Sequence, residues 1–321
     1  MSLVCYAAGD SDVGRLRQAN EDRFVVTGIT GGGTLLIVCD GMGGHEGGQV
    51  ASQVAITTVA EALKERSGMP PPQALFEALN LAHEAVRREA LARSLMGMGT
   101  TATVAWVFEE RAWVGWVGDS RLYQLREGLV IEKTSDHTKV QRLISEGRLA
   151  PAEAVTHPEA HVLERALGGI GDAQPEVWNE PLNLQKGDVL LLCTDGLHDM
   201  LNDALLFRIM EGKEPPEAVR LLIDRANRNG GHDNVTAVVA VLGDPRVPLL
   251  PDLEDTESGD KKISSGSKSA SLGRTVVPQP RLHVPPWAIG VAAAGALLAG
   301  LALGVRWGRT HPTGSAAASG P

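Results

Sequence analysis

Two apolar runs in this chain each end in an acidic residue, and this pattern constrains the fold more than any other feature. Residues 35–40 read LLIVCD and residues 188–195 read DVLLLCTD. Short continuous apolar runs are typical of strands buried on both faces. Burying an aspartate is costly unless its carboxylate is paired or binds a metal. The sequence therefore predicts buried strands whose ends carry a polar site.

The remaining elements are predicted from side-chain spacing. Strands are expected over residues 100–108, 112–118, 120–126 and 234–242. The second of these joins the third through Gly118 and Asp119 alone, which is typical of the tight turn of a β-hairpin. Residues 50–64, 72–93 and 216–227 carry apolar side chains at helical spacing. Together these elements predict an α+β fold, a four-layer α-β-β-α sandwich of two mainly antiparallel sheets flanked by helices.

The chain divides into four predicted parts. Residues 1–243 should form one large domain. Residues 244–286 are rich in Pro, Ser, Gly and charge and lack periodicity, which is typical of a disordered linker. Residues 287–305 form a charge-free run of 19 residues, and a helix of that length spans about 28 Å, close to the thickness of a bilayer core. We expect one C-terminal transmembrane helix here, in preference to a buried Ala/Gly helix, followed by a short polar tail at 306–321.

The charges around this segment predict its orientation. More basic residues precede it than follow it, which favours a cytoplasmic location for the N-terminal side. The residues on the two sides are Lys261, Lys262, Lys268, Arg274 and Arg281 before the segment, and Arg306 and Arg309 after it.

Composition excludes some classes of protein. The chain has 39 acidic and 30 basic residues, a net charge of −9, and only 4% aromatic residues. Nucleic-acid binders need a basic face and often aromatic stacking platforms, so we expect no nucleic-acid partner. The three cysteines form no CxxC motif, which argues against a zinc ribbon or a disulfide framework. Strand alternation places Cys39 on the opposite side of its strand from Asp40, but Cys193 on the same side as Asp195. No redox pair between the two cysteines is therefore expected.

Acidic residues recur at the predicted strand ends and in the loops between strands. A single Asp-Gly is most often a turn, but Asp-Gly follows a buried strand twice here, at Asp40 and Asp195. Glu21 and Asp22 precede another strand, Asp119 lies between two strands, and Asp233 comes just before the last one. If these ends converge, their oxygens would form a site for a hard divalent cation such as Mg²⁺ or Mn²⁺.

A competing motif lies near the N-terminus. Asp10, Ser11 and Asp12 read like the start of an aspartyl-phosphate phosphatase motif. However, Gly14 stands where that motif has Thr or Val, and the preceding VCYAAG is a poor strand for presenting a nucleophile. We do not favour this interpretation.

The ordered motifs SDVGRLRQANED, VCDGMGGHEGG, MGTTAT, VGDSRLY, DHT, CTDGLHDM and GGHDNVT resemble the metal-dependent protein phosphatases of the 2C type, the PPM family, in their bacterial form. The resemblance extends from about residue 9 to residue 242. It implies the four-layer sandwich with two Mn²⁺ or Mg²⁺ ions at one end of the sheets and a third, weaker ion beside them.

The resemblance also assigns roles to individual residues. Asp40 would bridge the two ions, and the Gly41 carbonyl would bind one of them. The other expected metal-site residues are Glu21, Asp22, Asp119, Asp195 and Asp233. Arg17 would receive the substrate phosphate, because a guanidinium matches two phosphate oxygens.

The general acid is less well defined by the motifs. Eukaryotic relatives carry a histidine directly after the bridging Asp-Gly, and Met42 stands there in this chain. His45 is the candidate for protonating the leaving group, and the alternative is that it only orients the following helix. His198 and His232 are interpreted as supporting or surface residues. Residues 136–171 match the family's flap beside the site, and we call this segment the flap.

The resemblance implies a protein serine/threonine phosphatase that hydrolyses phosphoserine and phosphothreonine with a water activated by two metal ions. Its expected partners are phosphorylated proteins, including a bacterial Ser/Thr kinase. The expected location is the bacterial cell membrane, single-pass, with the catalytic domain in the cytoplasm. The alternative is a non-catalytic or partner-activated phosphoprotein-binding regulator of the same fold. That alternative predicts lost metal ligands, whereas every ligand position is filled here.

Overall fold

The computed structural model describes residues 3–29, 32–44, 46–154 and 157–249. The strands are β1 (Cys5–Asp12), β2 (Arg23–Gly28), β3 (Thr34–Cys39), β4 (Gly41–Met42), β5 (Gly99–Thr100), β6 (Ala102–Phe108), β7 (Arg111–Val117), β8 (Arg121–Arg126), β9 (Leu129–Lys133), β10 (Glu176–Val177), β11 (Leu182–Asn183), β12 (Val189–Cys193) and β13 (Val235–Leu242). The helices are α1 (Glu46–Glu65), α2 (Pro71–Arg93), α3 (Lys139–Ser145), α4 (Pro151–Ala154), α5 (Asp195–His198), α6 (Asp203–Met210) and α7 (Pro215–Arg228).

Two antiparallel sheets form the centre of the domain. The first has the order β1-β13-β12-β8-β9. The second has the order β10-β7-β6-β3-β2, and β11 also pairs with β7. The predicted class, α+β with antiparallel sheets and helices, is confirmed.

Alternation along the strands shows how the layers pack. On β3, Leu36 and Val38 belong to the core between the sheets, whereas Leu35 and Ile37 pack beneath α1 and α2. On β12 the even-numbered residues face the core between the sheets, and the odd-numbered ones face α6 and α7. Each buried strand is therefore apolar on both faces, which explains its continuous apolar run. The four layers are helices, sheet, sheet and helices.

The predicted hairpin at Gly118 and Asp119 is wrong. Strands β7 and β8 belong to different sheets, so this short connection carries the chain from one sheet to the other. A Cβ at Gly118, where φ is +106°, would lie 2.5 Å from the Thr101 Cγ2 atom, so the crossing needs glycine. A connection this short fits a hairpin and a crossing equally well. The actual hairpin partner of β7 is β6, and that of β8 is β9.

Strand β1 lies in a segment for which no strand was predicted. It pairs with β13 from Cys5 to Asp12 and forms an edge of the first sheet. The Asp12 Oδ1 atom accepts hydrogen bonds from the Gly14 main chain, at 2.8 Å, and from the Asn227 side chain, at 3.0 Å. Asp12 therefore stabilises a turn, which agrees with setting aside the aspartyl-phosphate interpretation.

The two buried cysteines lie in separate parts of the structure. Cys39 belongs to the cluster under α1 and α2, and Cys193 belongs to the cluster under α6 and α7. Both thiols are free. Burial raises the pKa of the Cys39 and Cys193 thiols above the usual range, so both behave as apolar core side chains.

The packed domain continues past the predicted boundary at residue 243. Val247 is 1% exposed and packs in the cluster under α6 and α7. Its main-chain nitrogen donates to the Lys213 carbonyl, and its carbonyl accepts from Gly212. The rest of the predicted linker, the predicted transmembrane segment and the tail lie outside the described residues. Among the residues that are described, none of the helices is long and apolar enough to cross a bilayer.

Candidate active site

The acidic residues singled out by the sequence come together at one end of the two sheets. Asp40 follows β3, and Asp22 precedes β2, whose first residue Arg23 pairs with Cys39. Cys193 at the end of β12 pairs with both β8 and β13. Asp119 precedes β8, Asp195 follows β12, and Asp233 precedes β13. These pairings therefore bring all three aspartates to the same end of the sandwich.

Burial and mutual repulsion raise the pKa values of these carboxyls. Burial raises the pKa of Asp40 well above its usual range, and the neighbouring charges of Asp22, Asp195, Asp119 and Asp233 raise it further. Burial, together with the Asp195 and Asp233 charges, raises the pKa of Asp22 to about 7. Burial and the Asp195 charge raise the pKa of Asp119 to about 7. A cluster of this kind is stable at neutral pH only when protons or cations neutralise it.

Two carboxylate oxygens in the cluster have no hydrogen-bond partner within the described part of the chain. They are the Oδ1 atoms of Asp22 and Asp195, and both are buried. Buried oxygens left unpaired in a group of mutually repelling carboxylates fit cation binding, because a cation supplies both the missing partner and the opposite charge. The donor set consists of oxygens, which suits Mg²⁺ or Mn²⁺. The residues present therefore fit the expected metal ions.

Glycines allow Glu21 to approach this cluster. A Cβ at Gly48 would lie 1.8 Å from the Glu21 Oε2 atom, and one at Gly41 would lie 2.2 Å from the Gly48 carbonyl oxygen. The start of α1, the Asp40–Gly41 turn and the Glu21 loop thus pack main chain against main chain. The two glycines are required by close approach, and φ is not positive at either position.

Arg17 contacts the site directly. Its guanidinium donates a 2.7 Å hydrogen bond to the Asp233 carboxylate, and the two side chains are 52% and 34% exposed. Solvent therefore reaches this hydrogen bond between Arg17 and the acidic cluster. A ligand entering from solvent can meet the guanidinium at the edge of the cluster.

Hydroxyl groups that the sequence analysis did not single out fix the aspartates in place. The Asp22 Oδ2 atom accepts from the Thr194 and Thr236 hydroxyls at 2.9 and 2.7 Å. The Thr101 main-chain nitrogen donates to the Asp40 carbonyl oxygen, and the Asp40 main-chain nitrogen donates to the Thr101 hydroxyl, at 2.9 Å each. The MGTTAT, CTDG and GGHDNVT motifs contain these threonines, but the motifs do not indicate which hydroxyl binds which acid.

Asn234 is a second positioning residue that sequence reasoning missed. It is 5% exposed, and its amide nitrogen donates to the carbonyls of Val13 and Ala19, at 2.9 Å each. Its Oδ1 accepts from the Glu21 main chain at 2.8 Å. Asn234 therefore holds both ends of the loop that carries Arg17. The one indication in the sequence is that Asn234 directly follows Asp233, a predicted metal-site residue.

The flap reaches the acidic cluster through His161. The His161 Nδ1 lies 3.4 Å from the Asp199 Oδ2, and these two residues and Asp195 offer ligand atoms within 4.8 Å of one another. His198 is 4% exposed at its side chain and bonds to the Asp119 carbonyl oxygen at 3.1 Å. His198 is thus a buried support of the site, whereas His232 is exposed on the wall of the adjoining cavity.

A cavity of about 870 Å³ lies between the acidic cluster and the flap. Arg17, Asp119, Asp195 and Asp233 line one side of it, and α3 and α4 of the flap line the other. His45 is outside the described residues, so its role as general acid stays a prediction.

The fold and the site together define an α-β-β-α sandwich protein with a solvent-accessible carboxylate centre suited to divalent cations. Residues 14–218 match the family model for protein phosphatase 2C. The chain belongs to the protein phosphatase 2C family, as the sequence motifs predicted.

Three comparisons give the extent of the likeness. The serine/threonine protein phosphatase PstP of Mycobacterium tuberculosis is 37% identical over 245 residues, which cover 76% of this chain and 46% of PstP. The chain thus spans about half the length of that relative. The serine/threonine phosphatase stp of Listeria monocytogenes is 34% identical over 235 residues, or 71% of this chain and 92% of stp. The crystal structure of the PstP catalytic domain in complex with two manganese ions superimposes on this chain with a TM-score of 0.63 and a sequence identity of 36%. That match covers 76% of this chain and 100% of the PstP domain.

Proposed function

We propose that this protein is a metal-dependent protein serine/threonine phosphatase. The observation that carries the proposal is the buried cluster of aspartates at the sheet ends, with Arg17 at its solvent-exposed edge. The cluster fits divalent cations, and the arginine fits a phosphate. Family membership supports the same activity, because the relatives above are named serine/threonine phosphatases.

The residues that would hold the cations are those already described. By the family resemblance, Asp40 and the Gly41 carbonyl would hold the cations at the centre, with Asp195 and Asp233 on one side and Glu21 on the other. Asp22 supports the cluster from its buried side through Thr194 and Thr236, and Asp119 stands at the crossing between the sheets. Two Mn²⁺ or Mg²⁺ ions, with a third beside Asp119 and Asp195, are proposed by likeness to the manganese complex of PstP. When bound, such ions lower the pKa of a shared water and neutralise phosphate charge.

The chain's own residues orient the substrate. The Arg17 guanidinium would leave Asp233 and form two parallel hydrogen bonds to phosphate oxygens, which orients the phosphorus toward the acidic cluster. Asn234 holds the Arg17 loop at a fixed distance from that cluster, so the arginine meets the phosphate without further ordering of the main chain. The positive guanidinium also stabilises the charge on the phosphate oxygens during transfer.

A non-catalytic phosphoprotein-binding regulator is the weaker alternative. Such a protein has no need to retain a complete set of buried, mutually repelling carboxylates, because each one lowers stability when cations are absent. This chain retains Asp22, Asp40, Asp119, Asp195 and Asp233 together. The retained set favours the enzyme.

The cellular setting is proposed from sequence alone. We propose that residues 287–305 anchor the protein in a bacterial cell membrane with the catalytic domain in the cytoplasm, and that its substrates include a Ser/Thr kinase. Fractionation of cells expressing the chain with and without residues 287–305 tests the anchor. Recovery of both forms in the same fraction contradicts it.

The activity is tested by phosphate release from a phosphothreonine peptide with Mn²⁺, with Mg²⁺ and with EDTA. Asp195→Asn removes one charge from the cluster. Asp224→Asn is the matched control, because Asp224 lies on α7 and pairs only with Arg220 in the described structure. We expect metal-dependent turnover in the wild type and the control, and at least a hundredfold loss in Asp195→Asn. Equal turnover by both variants contradicts the proposal.

A further inference from the structure

We propose that the cavity between the acidic cluster and the flap is a peptide-binding groove that selects substrates with apolar residues beside the phosphorylated threonine or serine. This inference rests on the proposed phosphatase function and specifies its substrate class. It concerns the wall of the cavity that the flap forms, across from the acidic cluster.

The size of the cavity is the first observation. Its volume of about 870 Å³ falls in the range of roughly 300–1,000 Å³ that holds a whole drug-sized ligand. A phosphate group at Arg17 fills a small part of that space. The remainder is available to the residues next to the phosphorylated one.

Part of the flap wall of the cavity is apolar, beside the polar side chains of Thr138 and Gln141. Val140 and Ile144 come from α3, and Pro151 and Ala154 come from α4. Met200, just after α5, extends the apolar surface to the other wall. Val140 is 7% exposed and anchors this surface, whereas Ile144 is half-buried and available for contact. A side chain of leucine size entering here would bury apolar area against both walls.

The cations near this wall already have acidic partners. Arg121, which lines the cavity, forms a bidentate pair with Asp136 at 2.8 and 2.6 Å. Lys139 on α3 pairs with Glu159 at 2.6 Å. An acidic residue in the substrate would therefore have to displace an existing ion pair to find a positive partner.

Asp199 on the other wall disfavours acidic residues. Its side chain lines the cavity and is not among the proposed cation ligands, whereas bound cations would neutralise Asp119 and Asp195. A flanking glutamate would therefore approach a like charge at Asp199, which raises the free energy of the complex. The phosphate is matched by Arg17 and the cations, but a flanking glutamate is not. The groove thus favours apolar neighbours through contact and disfavours acidic ones through charge.

His161 extends from the flap toward the other wall, and its Nδ1 atom lies 3.4 Å from the Asp199 Oδ2 atom. Apolar side chains of α3 and α4 lie across the groove from the acidic cluster, so the groove is already formed in the described structure. Preformed walls lower the entropy cost of binding a peptide.

The test uses three phosphothreonine peptides that differ only in having leucine, serine or glutamate on both sides of the phosphothreonine. The whole chain is assayed with Mn²⁺, and p-nitrophenyl phosphate serves as a substrate without flanking residues. We expect kcat/KM for the leucine peptide to exceed that for the serine peptide about tenfold, the size of effect that an apolar pocket gives. The glutamate peptide should be the poorest substrate.

Two variants locate the preference. Ile144→Gln should reduce the leucine-to-serine ratio of kcat/KM to about twofold or less. Ile131→Gln is the matched control, since Ile131 is a 43% exposed isoleucine on β9, outside the cavity, and it should keep the wild-type ratio. Thermal unfolding of both variants verifies that they fold. The leucine-to-serine ratio of the wild type tests the groove proposal even if a variant does not fold.

The outcomes separate the two proposals. If the wild type hydrolyses p-nitrophenyl phosphate but treats the leucine and serine peptides equally, the groove proposal is overturned and the phosphatase function stands. A preference for leucine that survives in a folded Ile144→Gln variant also overturns the groove proposal. If the wild type hydrolyses none of these substrates with any metal, the phosphatase function fails as well.

Discussion

Arg17 and Asp233 are joined by a 2.7 Å hydrogen bond at the edge of the acidic cluster. The guanidinium thereby occupies a position next to the carboxylate where a divalent cation is proposed to bind. The same arginine is the group proposed to receive the substrate phosphate. Cation binding at Asp233 and release of Arg17 toward phosphate are therefore expected to occur together.

Replacing Arg17 should impair phosphate binding more than folding. We expect Arg17→Ala to lower kcat/KM for a phosphothreonine peptide by about 10- to 100-fold, because a charge-assisted bidentate contact is worth roughly 1.5–3 kcal/mol. Arg17→Lys should recover only part of the loss, since a lysine cannot form two parallel bonds. Steady-state kinetics and the inhibition constant of inorganic phosphate measure the effect.

The control for Arg17 is Arg220→Ala, an exposed arginine on α7. It should leave both constants unchanged. A phosphate inhibition constant in Arg17→Ala equal to that of the wild type would show that Arg17 does not bind phosphate.

Asn234→Ala should affect both stability and turnover. The substitution removes three hydrogen bonds that hold the Arg17 loop, each worth about 1 kcal/mol. We expect the free energy of unfolding to fall by about 2–3 kcal/mol and kcat/KM to fall with it. Urea unfolding and peptide kinetics measure the two effects.

Asn80→Ala is the comparison for Asn234, because Asn80 is half-buried and its side-chain hydrogen bond in the described structure stays within α2. It should change the free energy of unfolding by less than about 0.5 kcal/mol. If Asn234→Ala behaves like Asn80→Ala, the loop is held by other contacts.

Without cations, the protein should lose stability as pH rises. Asp22 and Asp119 have a pKa of about 7 in the folded protein, against about 3.9 for an unperturbed aspartate. Between those values the folded state binds more protons than the unfolded state, so the free energy of unfolding falls from about pH 4 to pH 7. Urea unfolding in EDTA at several pH values measures this slope.

Cations should reverse this behaviour. With Mn²⁺ present, the carboxylates are neutralised without protons, so the loss of stability toward pH 7 should disappear. Asp22→Asn in EDTA should also flatten the slope. A free energy of unfolding that rises from pH 5 to pH 7 in EDTA would contradict the proposed charge crowding.

Gly48→Ala should weaken cation binding through Glu21. The new Cβ would lie 1.8 Å from the Glu21 Oε2 atom, so the carboxylate must move. We expect the dissociation constant for Mn²⁺, measured by calorimetry, to increase about tenfold, or roughly 1.4 kcal/mol. Gly28→Ala, where a Cβ meets nothing within 4 Å, should bind Mn²⁺ like the wild type, and equal affinities for the two variants would exclude the effect.

Much of the fold followed from the sequence because the strongest patterns are local. The runs at β3, β12 and β13 are apolar on both faces, and α1, α2 and α7 have clear helical spacing, so burial alone indicates them. Strand β1 escaped notice because it is a half-exposed edge strand with small residues and a weak pattern. The crossing at Gly118 was mistaken for a hairpin because turn chemistry is local, whereas the choice of sheet depends on how the whole domain packs.

The site divides in the same way. Aspartates that end apolar runs signal their own importance, because burial without a partner is costly. Asn234, Thr236 and His161 gave no such signal. Their roles depend on which loops the fold brings together, across more than 200 residues in the case of Asn234 and Val13.

The most direct test of the central claim is anomalous X-ray diffraction from crystals of the protein grown with Mn²⁺, measured at the manganese edge. The proposal predicts two strong manganese peaks between Asp40, Asp195, Asp233 and Glu21, with the Arg17 guanidinium no longer bonded to Asp233. Manganese peaks elsewhere, or none within reach of these carboxylates, would contradict the assignment of the cluster as the metal centre of a phosphatase.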